Sequence, residues 1–373
     1  MPVIAFVMQT FYGDQIGGAE RQVQLLAEAL RGAGWQTVYI SERPKDKPRR
    51  ESIADLEVLA LPQRKKRSAW RNFAALKSAI AQSAADLVYQ RMRHPYTGMT
   101  ARAARSLGKP FVWAAASLAD TIQKEDLRQA SHAPALLDKL LHPLNRYLED
   151  WGILKADAII LQTAEQKQLL EKNYRRTGAV IPNHISISPN ISVQRRQPPE
   201  ILWLSNIKPF KRPELFTELA QRCADLDAKF VMAGMCLDVS VLQRIQQAQH
   251  RLNNFAYIGP LEPMASEQRI AAATLLVNTS LFEGFPNAFQ QAWIHGVPTL
   301  SLSVDPDRVI QREGLGKCAS SLDDLESSLR QLLRDAAEIE RIAKRAREFA
   351  QSHYDLKSLL PRYLALFASL IKA

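Results

Sequence analysis

Three cysteines in 373 residues, Cys223, Cys236 and Cys318, are too few and too far apart for a disulfide framework, and they match no zinc-ligand spacing. A reducing cytoplasm is the expected compartment. No apolar run approaches the roughly 20 residues of a spanning helix. The opening Met1-Pro2-Val3-Ile4-Ala5-Phe6-Val7 lacks the basic region and cleavage site of a signal peptide, and reads as a first strand. Low-complexity tracts and short-period repeats are missing as well. The chain is 46% hydrophobic and 23% charged, an ordinary globular composition. Disordered, collagen-like and staple-dependent classes are thereby excluded, and the length suits two domains.

The net charge of +11 is unevenly spread: residues 1–200 hold 29 Lys+Arg against 19 Asp+Glu, and the remainder is nearly balanced. A basic first half points to an anionic partner, whether nucleic acid, acidic lipid or acidic substrate. No aromatic–basic sheet motif or helix-turn-helix pattern is present, so nucleic acid is not expected as a partner. A basic nucleic-acid-binding α/β protein stays as an alternative reading.

Short runs rich in Val, Ile, Leu and Phe alternate with amphipathic segments. Predicted strands are 3–9, 35–41, 57–61, 86–91, 110–115, 158–163 and 178–182, then 200–205, 229–234, 255–259, 274–279 and 297–303. Helical patterns include 19–33, 70–83, 96–107, 136–155, 213–223, 239–250, 287–295 and 336–351. Strand and helix in alternation predict parallel, doubly wound sheets. The break falls at 185–199, which ends in Gln197-Pro198-Pro199. Two Rossmann-like domains follow, 1–185 and 186–352, with a C-terminal helix at 353–373 expected to pack back on the first.

Three segments could carry chemistry. Gly17-Gly18-Ala19-Glu20 opens a helix after the first strand, where backbone N–H groups and the helix dipole attract an anion. The pattern is neither GxGxxG nor a P-loop, and a tight βα turn accounts for it equally well. Ser205-Asn206-Ile207-Lys208-Pro209-Phe210-Lys211-Arg212-Pro213 follows a buried strand, which makes Lys208, Lys211 and Arg212 candidates for a phosphate group at the ligand edge of a parallel sheet, a solvated basic loop being the other reading. Ser280-Leu281-Phe282-Glu283-Gly284-Phe285-Pro286-Asn287 follows another, with Asn287 expected to cap the next helix and Gln291 on that helix. Backbone donors beside a carboxylate are what a sugar nucleotide requires.

Here the chain resembles the GT-B glycosyltransferases of the family 4 type. The EGFPNAFQQAW segment, the KPFKRPE loop, the GGAERQ loop, the FVMAG strand, the YIGP turn and the GVP strand start fall in the family's order. The resemblance implies two Rossmann-like domains facing each other across a cleft. It implies that Glu283, first acid of an E-x7-E motif, binds donor-sugar hydroxyls, and that Lys211 neutralises the leaving diphosphate. Gly284, Phe285, Pro286 and Asn287 match the loop that contacts sugar and phosphate, and Gly17 and Gly18 the loop closing over the phosphate. Ser205, Asn206 and Arg212 belong to the donor loop, and Ile258, Gly259 and Pro260 match the turn reading the nucleobase. Gln291 stands where the family has its second acid, and Asn206 where an arginine is usual. The N-domain loop Ala114–Asp120, where many relatives carry a histidine, offers Ser117 and Asp120.

The function so implied is retaining transfer of a hexose from a UDP-, GDP- or ADP-sugar to a lipid-linked or glycan hydroxyl in envelope assembly. No cofactor is expected beyond the donor substrate. A catalytically inactive sugar-nucleotide or glycan binder is the alternative that Gln291 and Asn206 suggest. Arg91, Arg93 and His94, at a strand end, are acceptor candidates. Asp305-Pro306-Asp307 resembles the DxD of metal-dependent transferases but lies in a proline turn where aspartates are ordinary. The seven histidines, His94, His132, His142, His184, His250, His295 and His353, show no metal spacing, so no metal site is expected. Arg64-Lys65-Lys66-Arg67 precedes Trp70, Phe73, Leu76 and Ile80 at helical spacing, a pattern suited to an anionic membrane surface or equally to a solvated charge run before an ordinary core helix. The expected location is cytoplasmic, extending to the inner membrane face.

Overall fold

The structure, a computed structural model, describes residues 1–14, 17–44, 49–53, 55–64, 66–122, 146–185 and 195–371, with the side chains of 66–68 excepted. Lys65, His132, His142, part of the predicted helix at 136–155 and most of the 185–199 break lie outside the described residues. The chain divides into two compact units, Met1–His184 with Leu356–Ala373, and Ile185–Asp355.

In the first unit eight strands form one sheet: β1 (Val3–Thr10), β2 (Gln36–Arg43), β3 (Arg50–Ile53), β4 (Leu56–Pro62), β5 (Leu87–Arg91), β6 (Phe111–Ala114), β7 (Ala158–Leu161) and β8 (Ala179–Val180). Their order is β3-β4-β2-β1-β5-β6-β7-β8, so the winding reverses between β1 and β5. Every pairing is parallel except β3 with β4. The helices are α1 (Gly18–Gly32), α2 (Phe73–Gln82), α3 (Pro95–Ser106), α4 (146–154) and α5 (Ala164–Tyr174). Along β1, Ile4 and Phe6 enter one core cluster while Ala5 and Val7 enter another. Both faces of the sheet are covered, which explains why β1 reads as an unbroken apolar run.

The second unit holds β9 (Glu200–Leu204), β10 (Lys229–Ala233), β11 (Phe255–Tyr257), β12 (Leu275–Asn278), β13 (Thr299–Leu302) and β14 (Gly316–Ala319). The order is β11-β10-β9-β12-β13-β14, all parallel. This is the dinucleotide-fold order, with the switch point between β9 and β12. Its helices are α6 (Pro213–Arg222), α7 (Val239–Arg251), α8 (Pro263–Ala272), α9 (Asn287–Ile294), α10 (Val309–Glu313), α11 (Leu322–Arg334) and α12 (Ala336–His353). Side-chain caps start several helices in both units: Thr163 accepts from Gln166 N, Asp238 from Ser240 N and Ser321 from Asp324 N.

The last helix, α13 (Leu356–Ile371), belongs to the first unit. Leu359, Tyr363 and Phe367, spaced by four, lie in the same core cluster as Phe6, Trp35 and Tyr89. Two strands escaped the sequence reading. β3 is a polar edge strand, Arg50-Glu51-Ser52-Ile53, and β14 is an edge strand reading Gly316-Lys317-Cys318-Ala319. Neither is buried on both faces, so neither shows the apolar run that marks the interior strands.

Candidate functional site

The carboxyl ends of β9 and β12 are adjacent at the switch point of the second unit. After β9 the chain makes a single 3-10 turn, Pro209–Lys211. Arg212 then adopts a left-handed conformation with φ of 50°, and Pro213 begins α6. After β12, residues 279–286 form the loop that leads into α9. Leu281 N donates to Phe210 O at 2.8 Å, and the Phe210 and Phe282 rings stack at 5.0 Å.

This junction brings Lys211 and Glu283, 72 residues apart in sequence, into an ion pair. Ser280 Oγ donates to the same carboxylate oxygen, Oε1, at 2.7 Å. Each side chain of the pair is 14% exposed, so the charges are shielded yet open to a ligand. Among the described residues nothing donates to Glu283 Oε2. The arrangement can exchange partners: an anion can draw off the ammonium while the carboxylate accepts hydroxyl hydrogens.

The other residues expected at this site fall around it. Gly284, Phe285 and Pro286 are buried. The Phe285 ring is fixed between Trp293 and Tyr354, at 6.0 and 5.1 Å, so its side chain is turned into the core and not offered to a ligand. Asn287 is not the cap: the N-cap is Pro286, without a side-chain capping bond, and Asn287 is the first helical residue. The proline's fixed φ, here −62°, already sets the entry angle. Asn287 and Gln291 are half-buried on α9, one turn apart, while Asn206 and Lys208 are exposed. Ser205 N donates to Ala233 O at 3.1 Å. Beside it Gly234 has φ of 142°, and a Cβ there would meet Ser205 O at 1.8 Å. Ile258 N donates to Met232 O at 3.0 Å, Gly259 O accepts from Gly234 N at 2.9 Å, and Pro260 is exposed.

Arg212 does not stand free as a phosphate donor. Its Nε donates to Thr279 O at 2.6 Å, and its Nη2 lies within 3.3 Å of Ser280 O, Leu302 O and Ser303 Oγ. Thr279 Oγ1 in turn accepts from Trp203 Nε1 at 2.9 Å and lies 2.7 Å from Lys211 O. Thr279 and Ser280 were missed in the sequence, although both sit at a strand's carboxyl end, the rule that singled out Lys208.

In the first unit, Gly17 is the N-cap of α1 in extended conformation. The helix start already carries a carboxylate, since Glu20 is buried and accepts from Thr10 Oγ1 at 2.6 Å. Arg91 is buried and donates to Asn183. Arg93 is paired with Glu149 at 3.2 Å and Asp150 at 2.6 Å, and also donates to Ile122 O. His94 caps α3, accepting from Tyr96 N. Asp120 is buried and accepts from Ala116 N and Ser117 N at 2.7 and 3.1 Å. Burial raises its pKa, and those hydrogen bonds oppose the rise. These side chains shape the carboxyl edge around the unit's own switch point, with His94 and Ser117 the half-buried ones. Asp305 accepts from Ile310 N and Gln311 N in the first turn of α10, whose N-cap is Arg308, so the first aspartate of the DxD-like pair holds backbone. Among the described residues no group of three or more His, Cys, Asp or Glu could hold a metal ion, and no helix is long and apolar enough to cross a membrane.

Residues 16–188 match the family model Glycosyltransferase Family 4, and residues 198–335 match Glycosyl transferases group 1. No curated protein matches the sequence. Among solved structures, sucrose-phosphate synthase from Thermosynechococcus elongatus is similar with a TM-score of 0.78 at 16% identity, covering 100% of both chains. HepE of Anabaena, in complex with UDP and glucose, is similar at 0.74 and 16%, over 99% of this chain and 100% of that one. WaaG, a glycosyltransferase involved in lipopolysaccharide biosynthesis, is similar at 0.72 and 18%, over 98% and 99%. At such identities the structural likeness is one of fold, two Rossmann-like domains of the GT-B type. With a family model matched in each half, the chain belongs to the GT-B glycosyltransferases of family 4 and group 1.

Proposed function

We propose that this glycosyltransferase moves a hexose from a nucleotide-diphosphate sugar to a hydroxyl of a lipid-linked or polysaccharide acceptor, with retention at the anomeric carbon, in cell-envelope glycan assembly. The observation that carries the reading is the Lys211–Glu283 pair at the switch point of the second unit. Donor binding exchanges the pair's partners. Lys211 turns to the diphosphate, whose charge grows as the glycosidic bond breaks, and Glu283 accepts hydrogens from sugar hydroxyls. The backbone at the start of α9 adds N–H donors. The departing phosphate oxygen takes the acceptor's proton on the face it leaves, so no separate protein base is required.

UDP is the nucleotide proposed first, since HepE, of the same fold, is held in complex with UDP and glucose. The acceptor is assigned to the first unit, through His94 and Ser117 on its carboxyl edge. A peripheral position on the inner, anionic membrane face is part of the proposal. It draws support from exposed Arg64 and from Trp70, 50% exposed, with Arg71 5.5 Å from its ring, and not from the helix that follows, since Leu76 and Ile80 are buried in the first unit's core and Phe73 packs against it.

The deciding experiment is release of nucleoside diphosphate from UDP-, GDP- and ADP-sugars with a membrane extract as acceptor, and NMR of the anomeric centre formed. Turnover with a UDP-sugar and retained configuration are expected. Binding of sugar nucleotides without turnover would identify an inactive relative instead.

A further inference from the structure

We propose that Arg212 is a positioning residue, not a donor ligand, and that with Thr279 it forms a reciprocal clasp that sets Lys211 against Glu283. This rests on the function proposed above for that pair. Each loop supplies a side chain to the other's backbone. From the loop after β9, Arg212 reaches the carbonyls of Thr279 and Ser280 at 2.6 and 3.1 Å. From the loop after β12, the Thr279 hydroxyl lies 2.7 Å from Lys211 O and 2.9 Å from Arg212 O. Trp203 Nε1, on β9 itself, donates to the same hydroxyl at 2.9 Å and fixes its direction. Thr279 is fully buried and Trp203 is 2% exposed, so water does not substitute for these bonds.

Arg212 also reaches Leu302 O and Ser303 Oγ, at 3.2 and 3.3 Å, which ties in the loop after β13. A guanidinium grips a phosphate with two N–H groups along one edge. Nη2 belongs to both edges that could do this, and it is already shared among three acceptors. The left-handed backbone at Arg212, φ 50°, puts its side chain across the strand ends while its neighbour Lys211 meets Glu283. Adjacent cations thereby take separate tasks, Lys211 the charge and Arg212 the frame.

A charge-conserving substitution separates the two roles. A phosphate ligand weakened by lysine would lose UDP affinity, whereas a clasp weakened by lysine loses kcat, because an ammonium cannot span four acceptors in a plane. Arg212→Lys and Thr279→Val are expected to lower kcat about tenfold or more while UDP affinity stays within about threefold. Thr279→Ser, which keeps the hydroxyl, is expected to remain within about threefold of the parent in kcat. Hydrogen–deuterium exchange needs no turnover: segments 205–212 and 279–286 should lose protection together in Arg212→Lys and in Thr279→Val. Loss of UDP affinity in Arg212→Lys with kcat preserved, or exposure of one loop without the other, would overturn the clasp. Should Arg212→Lys not fold, the Thr279 pair decides. Absence of turnover in the parent would count against the proposed transfer, and the exchange experiment would still judge the clasp.

Discussion

Lys211 and Glu283 neutralise one another in the structure, and the mechanism proposed for them depends on that pairing being exchangeable. On the proposed mechanism, replacing Lys211 by alanine removes a charge-assisted contact to the leaving diphosphate, and a loss of about 2–4 kcal/mol in the transition state, roughly 30- to 1000-fold in turnover, is expected. Steady-state kinetics of Lys211→Ala with UDP-sugar measures it, and wild-type turnover would remove the lysine from the mechanism. Gln291 is a different case. A glutamine amide offers one acceptor and one donor where a carboxylate offers only acceptors, and charged hydrogen bonds contribute about 1 kcal/mol more. The uncharged side chain also repels a diphosphate less. These effects oppose each other with similar size, so Gln291→Glu should shift nucleotide affinity by less than about tenfold. Turnover confined to the glutamate variant would mark the natural chain as inactive.

At the scale of elements, the donor side is built from strand ends and the turns that leave them. The turn after β10 comes so close to the turn after β9 that no side chain fits at Gly234. Alanine there would adopt an unfavourable φ and force the Ser205 carbonyl aside, at a cost of about 2–4 kcal/mol. Gly234→Ala should show this in urea denaturation, with weaker nucleotide binding as the displaced Ser205–Arg212 loop carries Lys211 with it. Unchanged stability and affinity would mean the two turns are not mutually fixed. Strand ends carrying Lys211 and Glu283 were legible because buried apolar runs stop at polar residues there. The clasp of Arg212 and Thr279 was not legible, since a cation after a strand reads the same whether it meets phosphate or carbonyls.

Across the whole molecule, the first unit is completed by α13, which joins its core after the chain has passed through the second unit. At the first crossing point stands His184, fully buried, its Nε2 3.1 Å from Gln22 O and its ring 5.8 Å from that of Tyr363. Burial first, and Arg91 second, lower its pKa from 6.5 to about 3. Between these values the unfolded chain binds a proton that the folded one refuses, so acid favours unfolding. Stability should fall as pH drops below about 6.5, by up to about 1.4 kcal/mol per pH unit from this group. Denaturation midpoints of wild type and His184→Gln from pH 7 to 5 test this; parallel curves would exclude His184 as the source.

The sequence by itself determined the α/β class, the interior strands and the positions of Lys211 and Glu283. Each is written in local terms: an apolar run of strand length, a glycine or proline at its end, a charged residue just beyond. Tertiary structure alone decided which charges meet. Lys211 was expected to face a phosphate and is held by Glu283 from 72 residues away; Arg212 was expected beside it and is held by carbonyls from two other loops. It also decided that Asn287 lies inside its helix and that β3 and β14 join their sheets as edges. Local pattern records what a residue can bond, and only the register of strands distant in sequence brings it to a partner.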